Sequence, residues 1–408
     1  MSRPLRALRG GILTAHPGGR VTYRRDGLLV FDGRGRIVHA GAASRRWVRV
    51  PLAGGSARAL VAAAFWDPHV HLPQLSIAGR YHEPLERWLE RRALPAEVRH
   101  GEKTVARAES EAFCRALVAA GTAGAGVFTA PFAHGPVLAL EAARRWGLAL
   151  RAGAPLIEHG APAALCHTAA WWMRRLEQAD VALGAGAAVV PRYALSCGEK
   201  LLRQAGALAR RRRRWVLSHI AETREEVRRA AARFDSRSIA RLYDDCGLLT
   251  PRSLLAHGVW LEPGELELLR RRRSWIVHCP TSNAALGSGR MPLEALRRWG
   301  VRWCLASDVG AGPRLSLLDV MREALEVHRH HARLDPAEAY YRATLAGAEA
   351  LGWGRGRGAL EVGRRADCVV VEGEAFRSRT AAGVVREWIE RGGGVLWLAG
   401  RPGGAVSP

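Results

Sequence analysis

The middle of the chain alternates short apolar segments with segments whose apolar residues recur at helical spacing. Short continuous apolar runs between turn residues are typical of strands that are buried on both faces. We predict eight such strands, at residues 61–71, 125–130, 148–155, 186–195, 214–222, 253–260, 274–283 and 301–310. Strands that alternate with helices in this way predict an α/β fold built on a parallel (β/α)8 barrel of the TIM type.

Both ends of the chain have a different pattern, in which short apolar runs alternate with glycine-rich turns. Residues 26–41 (DGLLVFDGRGRIVHAG) predict a hairpin around Gly33 and Gly35. Residues 359–374 and 392–402 repeat this pattern near the C-terminus. We therefore expect a small β-sandwich domain built from both termini, with residues 1–62 and 357–408 flanking a barrel of residues 63–356.

The charge of the chain is unusually basic. It has 408 residues and a net charge of +24 at pH 7, and only Lys103 and Lys200 among its 62 basic residues are lysines. Such a charge can indicate nucleic-acid binding, although a general bias towards arginine also produces it. The runs Arg210–Arg214 and Arg270–Arg273 lie where a predicted helix ends and the next strand begins, which suits cations. We therefore expect solvated helix ends and no specific nucleic-acid partner.

The cysteines and the apolar segments indicate in which cellular compartment the protein is expected. The seven cysteines form no Cys-x-x-Cys pair, and a chain of this length does not need disulfides, so reduced thiols are the simplest interpretation. The N-terminus lacks an apolar segment of signal-peptide length. Residues 116–140 carry no charge, but their glycines and prolines favour a helix end, a buried strand and a loop over a membrane span. We expect a soluble cytoplasmic homodimer with no membrane partner.

Polar side chains follow the predicted strands at one end of the barrel. His69 and His71 close the first strand, and because strand side chains alternate between faces, both face the barrel mouth. The other polar residues at these strand ends are His219, Glu222, His257 and Asp308. One such histidine alone is more often a packing residue, but imidazoles converging with a carboxylate favour a Zn²⁺ or Fe²⁺ site. We interpret His278 and Cys279 on strand seven as packing groups or as groups that support the metal ligands from outside. We interpret His328, His330 and His331 as the solvated face of a polar helix.

Strand four bears on the number of metal ions. Binuclear sites in barrels of this kind usually bridge two ions through a modified lysine or a glutamate on strand four. Residues 187–195 (AAVVPRYAL) contain neither residue, and Lys200 lies beyond the strand in the following helix. We therefore expect one ion per chain.

Seven segments carry motifs that are more specific than the strand pattern. They are DPHVHLPQ (67–74), LERWLERRALPAE (85–97), VVPRYALSC (189–197), SHIAETREEV (218–227), LLAHGVWL (254–261), HCPTSNAALGSG (278–289) and SDVGAGPRLSLLDVMREA (307–324). These segments resemble the amidohydrolase superfamily. The Pro-Gln after the second histidine, the WLE…LPAE segment and the Pro-Arg-aromatic-x-x-Ser of strand four resemble the guanine deaminase family within it.

This resemblance implies the hydrolytic deamination of guanine to xanthine and ammonia by a water that zinc activates. The implied ligands of the single zinc ion are His69, His71, His219 and Asp308. Glu222 would be the proton shuttle, Asp308 would take the proton of the water, and His257 would polarise the water or the tetrahedral intermediate. The implied substrate contacts are Gln74, Trp88, Arg192, Tyr193, Glu222 and Asp308.

The substrate is the part of this interpretation that leaves alternatives open. The Arg192 fork suits the adjacent O6 and N7 acceptors of guanine, and Tyr193 can lie against the ring. Tyr193 stands where the family usually has phenylalanine, and residues 156–162 (LIEHGAP) lack the family's Asp-Arg-Asn. One alternative is a deaminase or dechlorinase of another cyclic amidine, such as a different aminopurine, a pterin or a triazine. The other is a catalytically silent, arginine-rich interaction protein.

Overall fold

The computed structural model describes residues 4–80 and 83–398. Its strands are β1 (Arg6–Ala15), β2 (Val21–Phe31), β3 (Ile37–Ala42), β4 (Leu52–Ala63), β5 (Phe65–His71), β6 (Thr122–Phe128), β7 (Ala149–Gly153), β8 (Pro155–Leu156), β9 (Ala188–Pro191), β10 (Trp215–Ile220), β11 (Ser253–His257), β12 (Trp275–His278), β13 (Arg302–Leu305), β14 (Cys368–Val371) and β15 (Val395–Trp397). Its α-helices are α1 (Leu85–Trp88), α2 (Leu94–Arg99), α3 (Lys103–Ala119), α4 (His134–Trp146), α5 (Ala169–Leu183), α6 (Glu199–Arg211), α7 (Arg224–Arg233), α8 (Ile239–Asp245), α9 (Pro263–Arg272), α10 (Pro280–Ala285), α11 (Leu293–Trp299), α12 (Leu317–Val327), α13 (Pro336–Ala343), α14 (Leu345–Ala350) and α15 (Ala381–Arg391). A 3-10 helix, Leu72–Ile77, follows β5, and a π-helical turn, Leu89–Ala93, joins α1 to α2.

The parallel strands β5 to β13 form the predicted barrel, although the predicted strand 148–155 is divided between β7 and the two-residue strand β8. β5, β6 and β7 make one hydrogen-bonded group, and β8 to β13 make the other. The groups meet on one side where Ala152 bridges Ala187 in parallel. On the other side, the Asp308 N–H donates to the His69 carbonyl at 3.0 Å, and the His71 N–H donates to the Val309 carbonyl at 2.9 Å. These last bonds close the barrel beside the predicted site.

Strands from both ends of the chain lie together in one β unit. Its strands form a single six-stranded sheet in the order β15-β14-β4-β1-β2-β3. β14 pairs antiparallel with β4, where Cys368 lies opposite Ala63, and this pairing joins the tail to the first segment. β2 and β3 form the hairpin expected around Gly33 and Gly35.

Two elements near the chain ends differ from the predicted ones. The predicted strand 61–71 is split, since residues up to Ala63 belong to β4 of the terminal sheet and the barrel strand starts at Phe65. The tail also contains the helix α15 between β14 and β15, which the β-type interpretation of this segment missed. Residues 399–402 of the predicted last segment lie outside the described residues.

The core explains why these segments adopt their structures. β5 and β6 are buried at every position, because helices cover the outer face of the barrel and side chains fill its interior. Helix α6 buries Leu201, Leu202, Ala205 and Leu208, an amphipathic spacing that places one stripe against the strands. It ends at Arg211, and Arg210–Arg213 are exposed, as are Arg270–Arg273 at the end of α9. The arginine runs are therefore solvated helix ends on the face opposite the barrel mouth.

One predicted solvated face is partly wrong. His330 and His331 are exposed, but His328 is completely buried, with its Nε2 atom 3.2 Å from Nε2 of His278. The end of α12 packs this histidine against His278 of β12, so the imidazole is buried between the helix and the strand.

The uncharged stretch 116–140 has the structure expected of it. It contains the end of α3, the buried strand β6, a loop and the first turns of α4. Within residues 4–80 and 83–398, no helix is both long enough and apolar enough to cross a bilayer.

Candidate active site

The four predicted metal ligands lie together at the C-terminal ends of the barrel strands. His69 and His71 come from β5, His219 from β10 and Asp308 from the loop after β13. Their candidate ligand atoms all lie within 4.8 Å of one another. Asp308 Oδ1 is 3.1 Å from Nε2 of His69 and 3.5 Å from Nε2 of His71.

The hydrogen bonds around this cluster suit a metal ion. His219 donates from Nδ1 to the Arg192 carbonyl at 2.5 Å, so the neutral imidazole keeps a lone pair on Nε2. That Nε2 atom faces Nε2 of His71 at 3.2 Å. Burial, together with the neighbouring imidazoles, holds the pKa of both histidines well below the ordinary value. Neutral imidazoles whose lone pairs converge beside a carboxylate are the donor set that Zn²⁺ takes in catalytic sites.

Two residues of the site have a backbone conformation that side chains normally avoid. His257 has φ = 75° at the end of β11, and Asp308 has φ = 49° just beyond β13. Positive φ at residues other than glycine is uncommon and concentrates at functional sites, where the surrounding structure enforces it. Both side chains are thereby turned into the mouth of the barrel.

Glu222 lies beside the cluster without being part of it. Its Oε2 atom is 3.5 Å from Nε2 of His257, and its Oε1 atom accepts a hydrogen bond from the Ser288 hydroxyl at 3.1 Å. Burial raises the pKa of Glu222, and the nearby Asp308 charge acts in the same direction. Burial opposes protonation of His257, but Glu222 and Asp308 outweigh it and raise the pKa of His257. The pair can therefore hold and pass a proton next to the ligand cluster.

A cavity of about 620 Å³ opens from this cluster to the surface. Its lining includes every substrate contact that the sequence analysis named, which are Gln74, Trp88, Arg192, Tyr193, Glu222 and Asp308. The Trp88 indole donates from Nε1 to the Arg80 carbonyl at 2.9 Å, which fixes its ring against one wall. A planar ligand of purine size fits a cavity of this volume.

The predicted residues of strand seven lie beside this site. His278 and Cys279 are fully or almost fully buried, and His278 contacts His328 on the outside of the barrel. Cys279 lies near His257 and Asp308, but burial raises its pKa well above the ordinary value, so the thiol stays protonated. We therefore treat both as packing groups, as the sequence predicts.

Comparison with known proteins is decisive about the family. Residues 60–390 match the model of the family described as "Amidohydrolase family". The chain belongs to this family. A relative in Deinococcus radiodurans named "Probable guanine deaminase" is 33% identical over 84% of this chain and 82% of its own length. A 5-methylthioadenosine/S-adenosylhomocysteine deaminase of Syntrophobacter fumaroxidans is 32% identical over 89% of this chain and 83% of its own. The solved structure of Escherichia coli guanine deaminase covers 98% of this chain and 99% of that chain, with a TM-score of 0.89 and 26% identity.

Family membership and the ligand cluster together indicate that this amidohydrolase uses a metal cofactor. The solved structure also agrees with the barrel described above over nearly the whole chain.

One buried polar residue, which contacts side chains that line this amidohydrolase's cavity, was missed by the sequence analysis. Glu97, in α2, is almost completely buried and accepts hydrogen bonds from Nη1 of Arg192 at 2.8 and 2.6 Å. It also accepts a hydrogen bond from the Gln74 amide nitrogen at 2.8 Å. Burial opposes the charge of Arg192, but Glu97 more than offsets it and raises the pKa of Arg192. The sequence did contain Glu97 within the LPAE motif, but it gave no indication of which side chains this glutamate would contact.

The loop that carries Asp308 also locates Gln74. Gly310 lies so close to the backbone of Gln74 that an added Cβ would be 2.4 Å from the Gln74 carbonyl oxygen. A residue with a side chain would push the two segments apart. Glycine at this position therefore lets the amide of Gln74 lie beside the ligand cluster.

Proposed function

We propose that this amidohydrolase converts guanine and water to xanthine and ammonia, with one Zn²⁺ held by His69, His71, His219 and Asp308. The observation that carries the proposal is a single cavity with two different walls. One wall has three of the four donor residues, His71, His219 and Asp308, with Glu222 beside them, and the other has the buried guanidinium of Arg192. A purine that fills this cavity can present its 2-amino carbon to the first wall and its carbonyl oxygen to the second.

Zinc bound at this cluster would lower the pKa of water and make hydroxide available near neutral pH. Asp308 has an oxygen 3.9 Å from Nε2 of His257, and it takes one proton from the attacking water. Glu222 moves protons on the other side, first to a ring nitrogen next to C2 and then to the departing amine. A C2–O bond forms and the C2–N bond breaks, and the two hydrogens of water end on the ring nitrogen and on ammonia.

The polar contacts around His257 suit it to the charge that develops at C2. Its Nδ1 atom donates to the Asn283 side-chain oxygen at 2.9 Å, which fixes the ring plane. A protonated His257 then has one N–H left, on Nε2, and this N–H points towards Glu222 and Asp308. It would donate to the oxygen that becomes negative as the C2–O bond forms, a contact that is stronger in the transition state than before it.

Release of ammonia, or of chloride from the chlorinated member, is measured for a panel of heterocycles to test the substrate. The panel contains guanine, adenine, 2,6-diaminopurine, 5′-methylthioadenosine, a pterin and a chlorinated and an aminated triazine. We include the nucleoside because one relative is named for it. We expect guanine to have the highest kcat/KM and adenine to be turned over negligibly, since adenine has an amino group where guanine has an acceptor. A triazine, pterin or nucleoside that exceeds guanine would leave deamination as the reaction type and overturn the substrate.

The finer sequence-based expectations belong to this proposal as well. They are one zinc ion per chain, a homodimer in the cytoplasm, and the domain boundaries at residues 62 and 356. Metal analysis of the purified protein tests the first, and light scattering after gel filtration tests the second.

A further inference from the structure

The Glu97 carboxylate joins two residues that line the cavity but lie far apart in sequence. Its side chain is about 1% exposed, and its oxygens accept from Arg192 Nη1 at 2.8 and 2.6 Å and from Gln74 Nε2 at 2.8 Å. Within the described part of the chain, no other acceptor contacts the Arg192 side chain. Glu97 therefore decides how both side chains are turned.

The hydrogen bonds fix which polar atoms remain for a ligand. Both contacts of Arg192 come from Nη1, so the hydrogens on Nη2 and Nε are the donors left over. A carboxylate can only accept, so the amide nitrogen of Gln74 faces Glu97 and its oxygen is left as an acceptor. The cavity wall thus combines guanidinium donors with one carbonyl acceptor.

Helix α2, which carries Glu97, is held from its other side. His100 follows the helix, and its Nε2 atom is 2.7 Å from Oε2 of Glu109 on α3. Arg99 contacts the other oxygen of Glu109 at 3.3 Å, and His134 on α4 contacts the His100 carbonyl at 2.8 Å. These contacts hold the helix in place independently of the cavity, so the carboxylate of Glu97 is a fixed point for Gln74 and Arg192.

We propose that Glu97 is a positioning residue that sets substrate specificity. By holding Arg192 and Gln74 in one orientation, it selects a purine that presents a carbonyl oxygen and a ring N–H over one that presents an amino group and an unprotonated ring nitrogen. This inference rests on the proposed deamination of guanine. It adds that Glu97, through its contacts with Gln74 and Arg192, decides which donors and acceptors these two side chains present to the purine.

The test compares guanine with 2,6-diaminopurine, which has the same 2-amino group but an amino group in place of the carbonyl. Product analysis counts only release from C2, which gives xanthine from guanine and isoguanine from 2,6-diaminopurine. In Glu97→Gln the amide can turn, and both partners lose their fixed orientation. We expect kcat/KM for guanine to fall about 10- to 100-fold, the range for one good bidentate contact, and 2,6-diaminopurine to lose much less.

A second substitution and a matched control keep the result interpretable. Glu97→Asp keeps the charge but is one methylene shorter, so it cannot reach both partners, and we expect a smaller loss of preference in the same direction. Glu265→Gln changes a buried glutamate that accepts from the backbone N–H groups of Ala240 and Glu262 and does not line the cavity, and we expect it to leave the preference for guanine unchanged. Equal losses for both purines, or an unchanged preference in both Glu97 variants, would overturn the proposal.

The outcome for Glu97 can be separated from the outcome for the proposed function. If the wild-type enzyme does not deaminate guanine, the proposed function is wrong. The same comparison is then made with the dissociation constants of the two purines, measured by quenching of tryptophan fluorescence, because Trp88 lines the cavity. A preference for guanine that falls in Glu97→Gln but not in Glu265→Gln supports the positioning role in either case.

Discussion

Replacing Glu222 by glutamine removes the proposed proton shuttle while changing little else. The glutamine oxygen can still accept the hydrogen bond from Ser288, which is 3.1 Å long in the native site. The backbone N–H of residue 222 can still donate to the Glu226 carboxylate, as it does now at 2.7 Å. The contact with His257 at 3.5 Å loses its charge, and the side chain can no longer give up or take a proton at pH 7.

The size of the effect follows from this list of kept and lost contacts. A positioned proton-transfer group contributes about 10²- to 10⁴-fold to the rate, which is about 2.7–5.4 kcal/mol of transition-state stabilisation. The kept hydrogen bonds limit the change in folding free energy to about 1 kcal/mol. Because Glu222 is not among the four ligands, the variant should bind as much metal as the wild type. We therefore expect a large loss of kcat with normal metal content and a nearly unchanged unfolding temperature.

The assay measures three quantities on one preparation: kcat for guanine, metal per chain by mass spectrometry, and the unfolding temperature. Glu265→Gln is the matched control, because Glu265 is also a buried glutamate whose oxygens accept from backbone N–H groups, here those of Ala240 and Glu262. It does not line the cavity, so its variant should keep the wild-type kcat. A Glu222→Gln enzyme that holds its metal and retains a kcat within about tenfold of the wild type would refute the shuttle role.

Four further outcomes follow from the site and the surface. His219→Ala should lower the metal content from about one ion per chain to nearly none, and a variant that keeps a full equivalent would exclude His219 as a ligand. Arg192→Lys should lose about 10-fold or more in kcat/KM for guanine, because the single ammonium group of lysine cannot replace the two-pronged guanidinium. Tyr193→Phe should keep its activity. Equal activity of the two variants in the same assay would count against recognition of guanine by Arg192. Burial and the charge of Glu222 raise the pKa of Glu226 to about 7, so the stability of the wild type declines as the pH rises through this value. Glu226→Gln should therefore unfold at a higher temperature than the wild type at pH 8.5 but not at pH 5. The same difference in unfolding temperature at both pH values would contradict this. Replacing Arg210–Arg214 with glutamine should leave deamination unchanged, and tight, base-selective DNA binding by the native protein at physiological salt would show that this run is more than a solvated helix end.

Much of the candidate site could be predicted because its residues lie at strand ends. In a parallel barrel every strand ends at the same rim, so a histidine or carboxylate at that position is placed by the fold itself. His69 and His71 follow this rule on β5, and His219 and Asp308 follow it at two other strands. The period-two alternation of a strand was enough to put the first two on one face.

The residues that were missed depend on contacts between distant segments. Glu97 lies 95 positions before Arg192, and nothing in the spacing of either residue indicates that they form an ion pair. His328 belongs to a helix end whose neighbours are exposed, and only its packing against His278, 50 positions earlier, buries it. The split between β4 and β5 has the same origin, since one apolar run of sequence serves two different sheets.

The sequence alone determined the alternation of strands and helices, the β unit made from both chain ends, and the set of groups at the barrel mouth. These features depend on local periodicity and on the rule that parallel strands end together. The tertiary structure decided which polar atoms of Gln74 and Arg192 face the cavity, because Glu97 uses the others. It also decided the backbone conformations of His257 and Asp308, whose positive φ values are held by the packing of the loops around them. Such decisions are made by pairs of segments far apart in the chain, and no local pattern of amino acids records them.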